Sequence, residues 1–432
     1  MIDIQIVRDD PQRVKDFSLA KGYAVDIDEL LAVDEKRRSL TREIEDKRQE
    51  RNQLIAVTKG QRPSDEQIQK GRYVREEIDA LENELKTVEE TYNRLIRQVP
   101  NAPIDEVPVG SSEEENVVVK TVGEPTHFEF EPKNHWQIGE VKDWIDKERA
   151  AKIAGSRFAY IKGGMVRLQF AIVQFVLDTL ADETVLQKII TDNNLNLPAK
   201  AFTPVLPPAL VNTAAYEATG RLDAEEVTYK LADDELWLNA SAEHSLCNMY
   251  MNEVLAVEEL PIRYIGYATS FRREAGSYGK DTEGIFRMHQ FDKLEMEVFS
   301  DAQTGLEEHR LLVAIQEYLV SQLKLPYRVL QKCTADIGKP NAQGVDIEVW
   351  LPGQGQYRET HSADYMTDFQ TRSLQTRYRD TDGKVKLAHT NDATALVLSR
   401  IPVAILENYQ TAEGNVRIPE VLRSYMGNKE EL

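Results

Sequence analysis

Apolar residues recur at alternating steps of three and four along residues 27–100. In a first run, Leu30, Val33, Leu40, Ile44 and Leu54 share the repeat with Arg37, Lys47 and Arg51. In a second, Val74, Ile78, Leu81, Leu85, Val88, Tyr92, Leu95 and Val99 follow it without a basic interruption. Such a seam predicts two coiled-coil helices of about 30 residues, each about 45 Å long. The segment Lys59-Gly60-Gln61-Arg62-Pro63-Ser64-Asp65 predicts a turn that folds them back as an antiparallel hairpin, and Pro100 and Pro103 end the second helix.

The pattern then changes twice. From Glu106 to Pro132 the chain is acidic and punctuated by Pro and Gly, with Ser111-Ser112-Glu113-Glu114-Glu115 inside it, and reads as a linker. Beyond Pro132, helical and period-two patterns mix. Ala150–Ala181 reads as strands and a helix, Phe202–Pro208 as extended, Ile347–Leu351 as a strand, and Ile401–Tyr409 as a helix with Pro402 in its first turn. The expectation is an α+β protein: an N-terminal helical arm over 1–104, a linker over 105–131, and an antiparallel-sheet domain over 132–432.

Charge refines the arm. The 432-residue chain carries a net charge of −20, so a nucleic-acid partner requires a local basic patch. Residues 35–62 hold nine Lys or Arg against five acids, locally +4. A projecting basic rod suits phosphate contacts, which supply affinity with little sequence reading. On charge alone, a solvated dimerisation arm stands beside that reading. No apolar run near the ~18 residues of a membrane helix is expected, and Met1-Ile2-Asp3-Ile4 does not open a signal peptide. Cys247 and Cys333 are too few for a disulfide framework or a thiolate zinc site and read as buried apolar groups. A reducing, cytoplasmic setting without membrane attachment is expected.

The densest chemistry lies at Arg272-Arg273-Glu274-Ala275-Gly276, running on to Arg287-Met288-His289-Gln290-Phe291-Asp292-Lys293-Leu294-Glu295. It reads as strand, charged loop and strand. Fixed charges of both signs near a core are costly unless a charged ligand neutralises them, so the block points to a charged small molecule.

These residues resemble motif 2 of class II aminoacyl-tRNA synthetases. Leu206-Pro207-Pro208-Ala209-Leu210-Val211-Asn212 resembles motif 1, and Arg400 with Val403–Gln410 resembles motif 3. Asn134–Gly139, Glu148–Lys152, Gly155–Phe158, Tyr357-Arg358-Glu359, Thr367–Gln370 and Ile418–Leu422 extend the resemblance, in order, to the seryl-tRNA synthetases, including the N-terminal hairpin. The resemblance implies two steps: ATP and L-serine give seryl-adenylate and pyrophosphate, and the seryl group passes to the 3′ end of serine tRNA, with selenocysteine tRNA as a second acceptor. Neither step needs a dedicated nucleophile; positioning and charge neutralisation dominate. The resemblance also implies tRNA binding by the arm and a homodimer with the motif 1 proline at its interface.

By the same resemblance, Arg272 grips the α-phosphate, Glu274 accepts from the adenine amino group, and Phe291 stacks on adenine with the Met288 backbone at the ring edge. Arg400 meets the γ-phosphate. Glu359 and Ser362 hold Mg²⁺ and ATP, as suits a hard cation. Glu295 takes the serine ammonium, Ser241 and Glu243 stand at the family's Thr-x-Glu, and Thr394 reads the hydroxyl. Arg272 and Arg400 are the expected catalytic pair, since guanidinium forks match phosphate oxygens. The chain departs from the family at Ser241, Arg273, Thr360-His361, Asp364-Tyr365-Met366 and Asn391-Asp392-Ala393-Thr394. Asp392 either binds the ammonium or lies outside its contact. Two alternatives remain: a class II synthetase for another amino acid, or a non-catalytic tRNA-binding paralogue. The 32 residues after Arg400 are fewer than an anticodon-binding domain needs, and Arg272, Glu274, Glu359 and Arg400 together favour catalysis.

Overall fold

Two short helices, α1 (Ile4–Asp9) and α2 (Pro11–Ala20), precede the long pair α3 (Ile27–Val57) and α4 (Asp65–Ile96). The computed structural model describes residues 1–57, 64–221, 228–274 and 283–432, in two compact units, Met1–Ala102 and Pro103–Leu432. Most of the expected turn at 59–65 thus lies outside the described residues. Ser64 opens α4 through a reciprocal capping box with Gln67.

The heptad seam forms as expected. Leu30, Leu40 and Ile44 on α3 and Val74, Ile78, Val88, Tyr92 and Leu95 on α4 are buried. Ion pairs fix the direction: Lys36–Glu84, Lys47–Glu77 and Glu50–Lys70, at 2.7, 2.7 and 3.5 Å, descend α4 as they climb α3. The basic interruptions of the seam are answered from across it. Arg37 lies 4.0 Å over the Tyr92 ring, and Lys47 meets Glu77. Since α4 holds nine acids against five bases and α3 eight against seven, the basic character belongs to a stretch of α3, residues 36–51, rather than to the hairpin as a whole.

The second unit is built on eight strands: β1 (Val117–Val122), β2 (Thr203–Val205), β3 (Ile262–Phe271), β4 (Gln290–Ser300), β5 (Tyr327–Gln331), β6 (Gln343–Leu351), β7 (Gln356–Thr367) and β8 (His389–Val397). Their spatial order is β1-β5-β6-β7-β8-β4-β3-β2. Every pairing is antiparallel except β2 with β3. β1 corrects the linker: residues 117–122 pair with β5 as an edge strand. All but Val122 are exposed, so no burial alternation marks the strand in the sequence.

Period-two alternation sorts the central strands. Leu294, Met296 and Val298 of β4 and Ala393 and Ala395 of β8 are buried in the core, while Lys293, Glu295, Glu297, Asp392 and Thr394 alternate with them and face the other side. Helices α5 (Gly164–Ala181), α6 (Gly305–Gln322) and α7 (Ile401–Asn408) contribute to the same core. Among the described residues, α5 is the helix long and apolar enough to cross a membrane by length and composition. Its Met165, Leu168, Ile172, Val176 and Leu180 are buried in the domain core, which accounts for that apolarity. Both cysteines are free and buried, as expected.

Candidate active site

The polar face of β4, β7 and β8 floors a cavity of about 310 Å³. Of the expected residues, Arg272, Glu274, Met288, Phe291, Glu359, Ser362, Arg400, Glu243, Glu295 and Thr394 all line it. Ser241 does not: it is buried, and its Oγ donates to Glu295 Oε2 at 3.3 Å.

The motif 2 hairpin is pinned where β3 ends. The Arg272 amide donates to the His289 carbonyl at 2.9 Å, and His289 Nδ1 lies 2.8 Å from the Arg272 carbonyl. Arg272 then reaches into the cavity, its Nε donating to the Ala240 carbonyl at 3.2 Å and its guanidinium 5.3 Å from the Phe291 ring centroid. Glu274 adopts a left-handed backbone, φ 52°, a conformation that costs a non-glycine residue of the order of 1 kcal/mol. Arg287 donates to its Oε2 at 2.8 Å. Residues 275–282, including Ala275 and Gly276, lie outside the described residues.

Arg400 caps the start of α7. Its Nη1 donates to Glu359 Oε1 at 2.8 Å and to the Glu359 carbonyl at 3.1 Å, and its guanidinium sits 5.1 Å from the Phe286 ring. Burial works against ionising Glu359, but Arg400 and Lys332 outweigh it and hold the carboxyl down at about 2. Beside it, Asp346 pairs in register with Ser362 across β6 and β7. Its burial, only partly offset by Lys332, pushes its carboxyl up to about 7. Asp346 Oδ1 accepts no hydrogen bond. Glu359, Ser362 and Asp346 are hard oxygen donors, and this donor set fits a divalent cation.

The other part of the cavity is acidic. Carboxylate oxygens of Glu243, Glu295 and Asp392 all lie within 4.8 Å of one another. Lys293 pairs with Glu295, and Arg221 Nε lies 2.8 Å from Glu243 Oε1. Burial of Glu295 raises its pKa, against the pull of Lys293. From the far side of the sheet, Gln316 of α6 donates to the carbonyls of Ser362 and Thr394 at 2.9 and 2.8 Å, locking β7 to β8 beneath the site. Sequence reasoning missed Arg221, Phe286, Lys332, Asp346 and Gln316. Arg358 of the motif run Tyr357-Arg358-Glu359 also lies over the Phe286 ring, at 4.2 Å, a contact with no signal in the sequence.

An antiparallel sheet bearing a cavity with guanidinium groups at one part and carboxylates at another is the frame of a class II aminoacyl-tRNA synthetase. Residues 227–409 match the tRNA synthetase class II core domain (G, H, P, S and T), and residues 1–103 match the seryl-tRNA synthetase N-terminal domain. A serine–tRNA ligase of Thermodesulfovibrio yellowstonii is 42% identical over 99% of each chain. The structure of seryl-tRNA synthetase from Pyrococcus horikoshii complexed with ATP superposes with a TM-score of 0.88 at 36% identity, covering 100% of this chain and 99% of that one. The cytoplasmic serine–tRNA ligase of Naegleria fowleri in complex with AMP gives 0.84 at 25% identity, covering 100% and 98%. The chain belongs to the seryl-tRNA synthetase family.

Proposed function

We propose that this chain, as a serine–tRNA ligase, binds ATP over Arg272, Phe291 and Arg400 and L-serine over Glu295, Glu243 and Thr394, and joins them in one cavity. The observation that carries this is the division of charge. Arg272, Arg400 and Lys332 suit a polyphosphate, whereas Glu243, Glu295 and Asp392 suit an ammonium group. Along β4, Phe291 and Glu295 are four residues apart, about 13 Å at the rise of a strand, enough to separate a nucleoside from an amino acid.

Arg272 would hold the α-phosphate as the serine carboxylate attacks it, and its fork would stabilise the charge on the equatorial oxygens. Glu274 would accept from adenine, with Met288 and Phe291 against the ring. Arg400 would hold the γ-phosphate, releasing Glu359. Glu359 and Ser362, supported by Asp346, would hold Mg²⁺, which when bound neutralises phosphate charge. Ser241 would act by orienting Glu295. Thr394 would bond the serine hydroxyl, so that alanine leaves it unpaired.

The arm over residues 1–104 would grip tRNA outside the anticodon through shape and backbone contacts, for serine and selenocysteine tRNA alike. Two chains would pair as a homodimer around the motif 1 segment, where Leu206 is 80% exposed. Pyrophosphate exchange tests the reading: serine should support it and alanine should not. Exchange with another amino acid and none with serine would remove the serine assignment.

A further inference from the structure

Three carboxylates stand side by side across three neighbouring strands. Asp364 of β7 is opposite Asp392 of β8, and Asp392 is opposite Glu297 of β4. Like charges in directly opposed positions repel, and all three are buried. Gly344 of β6, opposite Asp364, closes the row without a side chain; a Cβ there would come within 2.9 Å of Asp364 Oδ1. Glu243 and Glu295 lie beside the row, so five carboxyl groups converge. Among the described residues, Lys293 and Arg221 are the cations of the cavity that pair with them, and Lys293 is taken up by Glu295.

Arg221 spans three of the other four. Its Nε is 2.8 Å from Glu243, and its Nη2 is 3.5 Å from both Asp364 and Asp392. It is reached by three carboxylates from three elements, and it lines the cavity.

We propose that Arg221 is a positioning residue of the amino-acid site, holding Glu243, Asp364 and Asp392 at fixed separation so that the substrate ammonium meets Glu243 in a fixed place beside Glu295. This rests on the serine site proposed above. Protonation follows the same division. Burial opposes ionisation of Glu243, yet Arg221, together with smaller contributions from its other neighbours, outweighs it and keeps that carboxyl below its usual range. Burial and then the neighbouring Glu243 drive Asp392 well above its own. Of the two neighbours, Glu243 therefore gives up its proton more readily than Asp392. Without the guanidinium, the carboxyls would repel or share protons differently, and the ammonium would face a displaced Glu243.

The test is pyrophosphate exchange with the full-length chain, comparing Arg221→Gln, Asp392→Asn, their combination, and Arg221→Lys. Arg221→Gln should raise the KM for serine by about 30-fold, as expected for one partner of a buried charge pair, with the KM for ATP within about 2-fold. Adding Asp392→Asn should recover about 5-fold or more, because Arg221 and Asp392 are in direct contact and their effects are coupled. Arg221→Lys should lie between wild type and Arg221→Gln. Three results would overturn the proposal: equal shifts in both KM values, no shift, or additive losses in the double variant. Additive losses would mean that Arg221 binds the substrate carboxylate itself. Should Arg221→Gln not fold by circular dichroism, Arg221→Lys with and without Asp392→Asn carries the same comparison. Wild-type protein without serine-dependent exchange would sink the underlying site reading; normal wild-type exchange with unresponsive Arg221 variants would sink only this inference.

Discussion

The arm and the sheet domain use the same ionic chemistry to opposite ends. On the arm, Lys47 meets Glu77 at 2.7 Å with both side chains more than a quarter exposed. Under the cavity, Arg221 meets Glu243 at the similar distance of 2.8 Å, but Glu243 is 8% exposed and two further carboxylates crowd the same guanidinium. Water screens the first pair and leaves it little energetic weight. It cannot screen the second, so position and protonation there depend on the neighbours. Burial, more than the ion pair itself, turns a surface decoration into a binding device.

The sharpest way to break this contrast is at Arg272, which works inside the cavity. Arg272→Ala should lower serine-dependent pyrophosphate exchange by about 1,000-fold or more, the scale for a lost transition-state donor in a protected site. Its side-chain hydrogen bond goes to a backbone carbonyl and its charge is only a minor support of Glu295 and Glu359, so the thermal midpoint should change little. Near-normal exchange would remove its assigned role.

Next comes the division of labour between the two units. Deleting residues 35–95 should cut tRNA charging by about 100-fold, as expected when most phosphate contacts are lost. Adenylate formation should stay within about 2-fold, because the cavity draws on residues of the second unit alone. Matched losses in exchange and charging would show that the arm also supports the chemistry.

How much of this was legible in the sequence follows the same boundary. The heptads could be read because each apolar position repeats against solvent, and the ends of α3 and α4 fell close to where the spacing put them. The motif residues could be read by resemblance, and the alternation Lys293-Leu294-Glu295-Met296-Glu297 marks one polar face. β1 could not be read, because an exposed edge strand buries almost nothing and leaves no periodic trace. The apolarity of α5, read as falling short of a membrane span, is explained by the core it fills. Arg221 was hidden for another reason: its meaning depends on Glu243, Asp364 and Asp392, which only the sheet register brings together. Gln316 acts from the opposite face of the sheet through two carbonyls, and no side-chain pattern announces that. Ser241 was read from its motif as a serine ligand; its bond to Glu295 is a contact that no motif announces.

Glu295→Gln tests the acidic part of the cavity with a smaller expected effect. The amide keeps the shape and the bond from Ser241 while removing the charge. The KM for serine should rise by about 50-fold, in keeping with a lost charge-assisted contact in a buried site, and the KM for ATP should stay put. A rise in the KM for ATP of the same size would mean that the two parts of the cavity are not separate.

The smallest effect belongs to the arm's own ion pair. Lys47→Ala removes the partner of Glu77 and frees a position on the heptad seam that is basic rather than apolar. Glu77 keeps access to water, so it can be resolvated where Glu243 could not. The helix signal followed by circular dichroism should melt within about 2 °C of wild type, as for most exposed pairs, and added salt should narrow even that gap. A drop of about 8 °C or more would show that pairs along the α3–α4 seam are coupled as tightly as those beneath the cavity. Burial would then not be what separates the two regions.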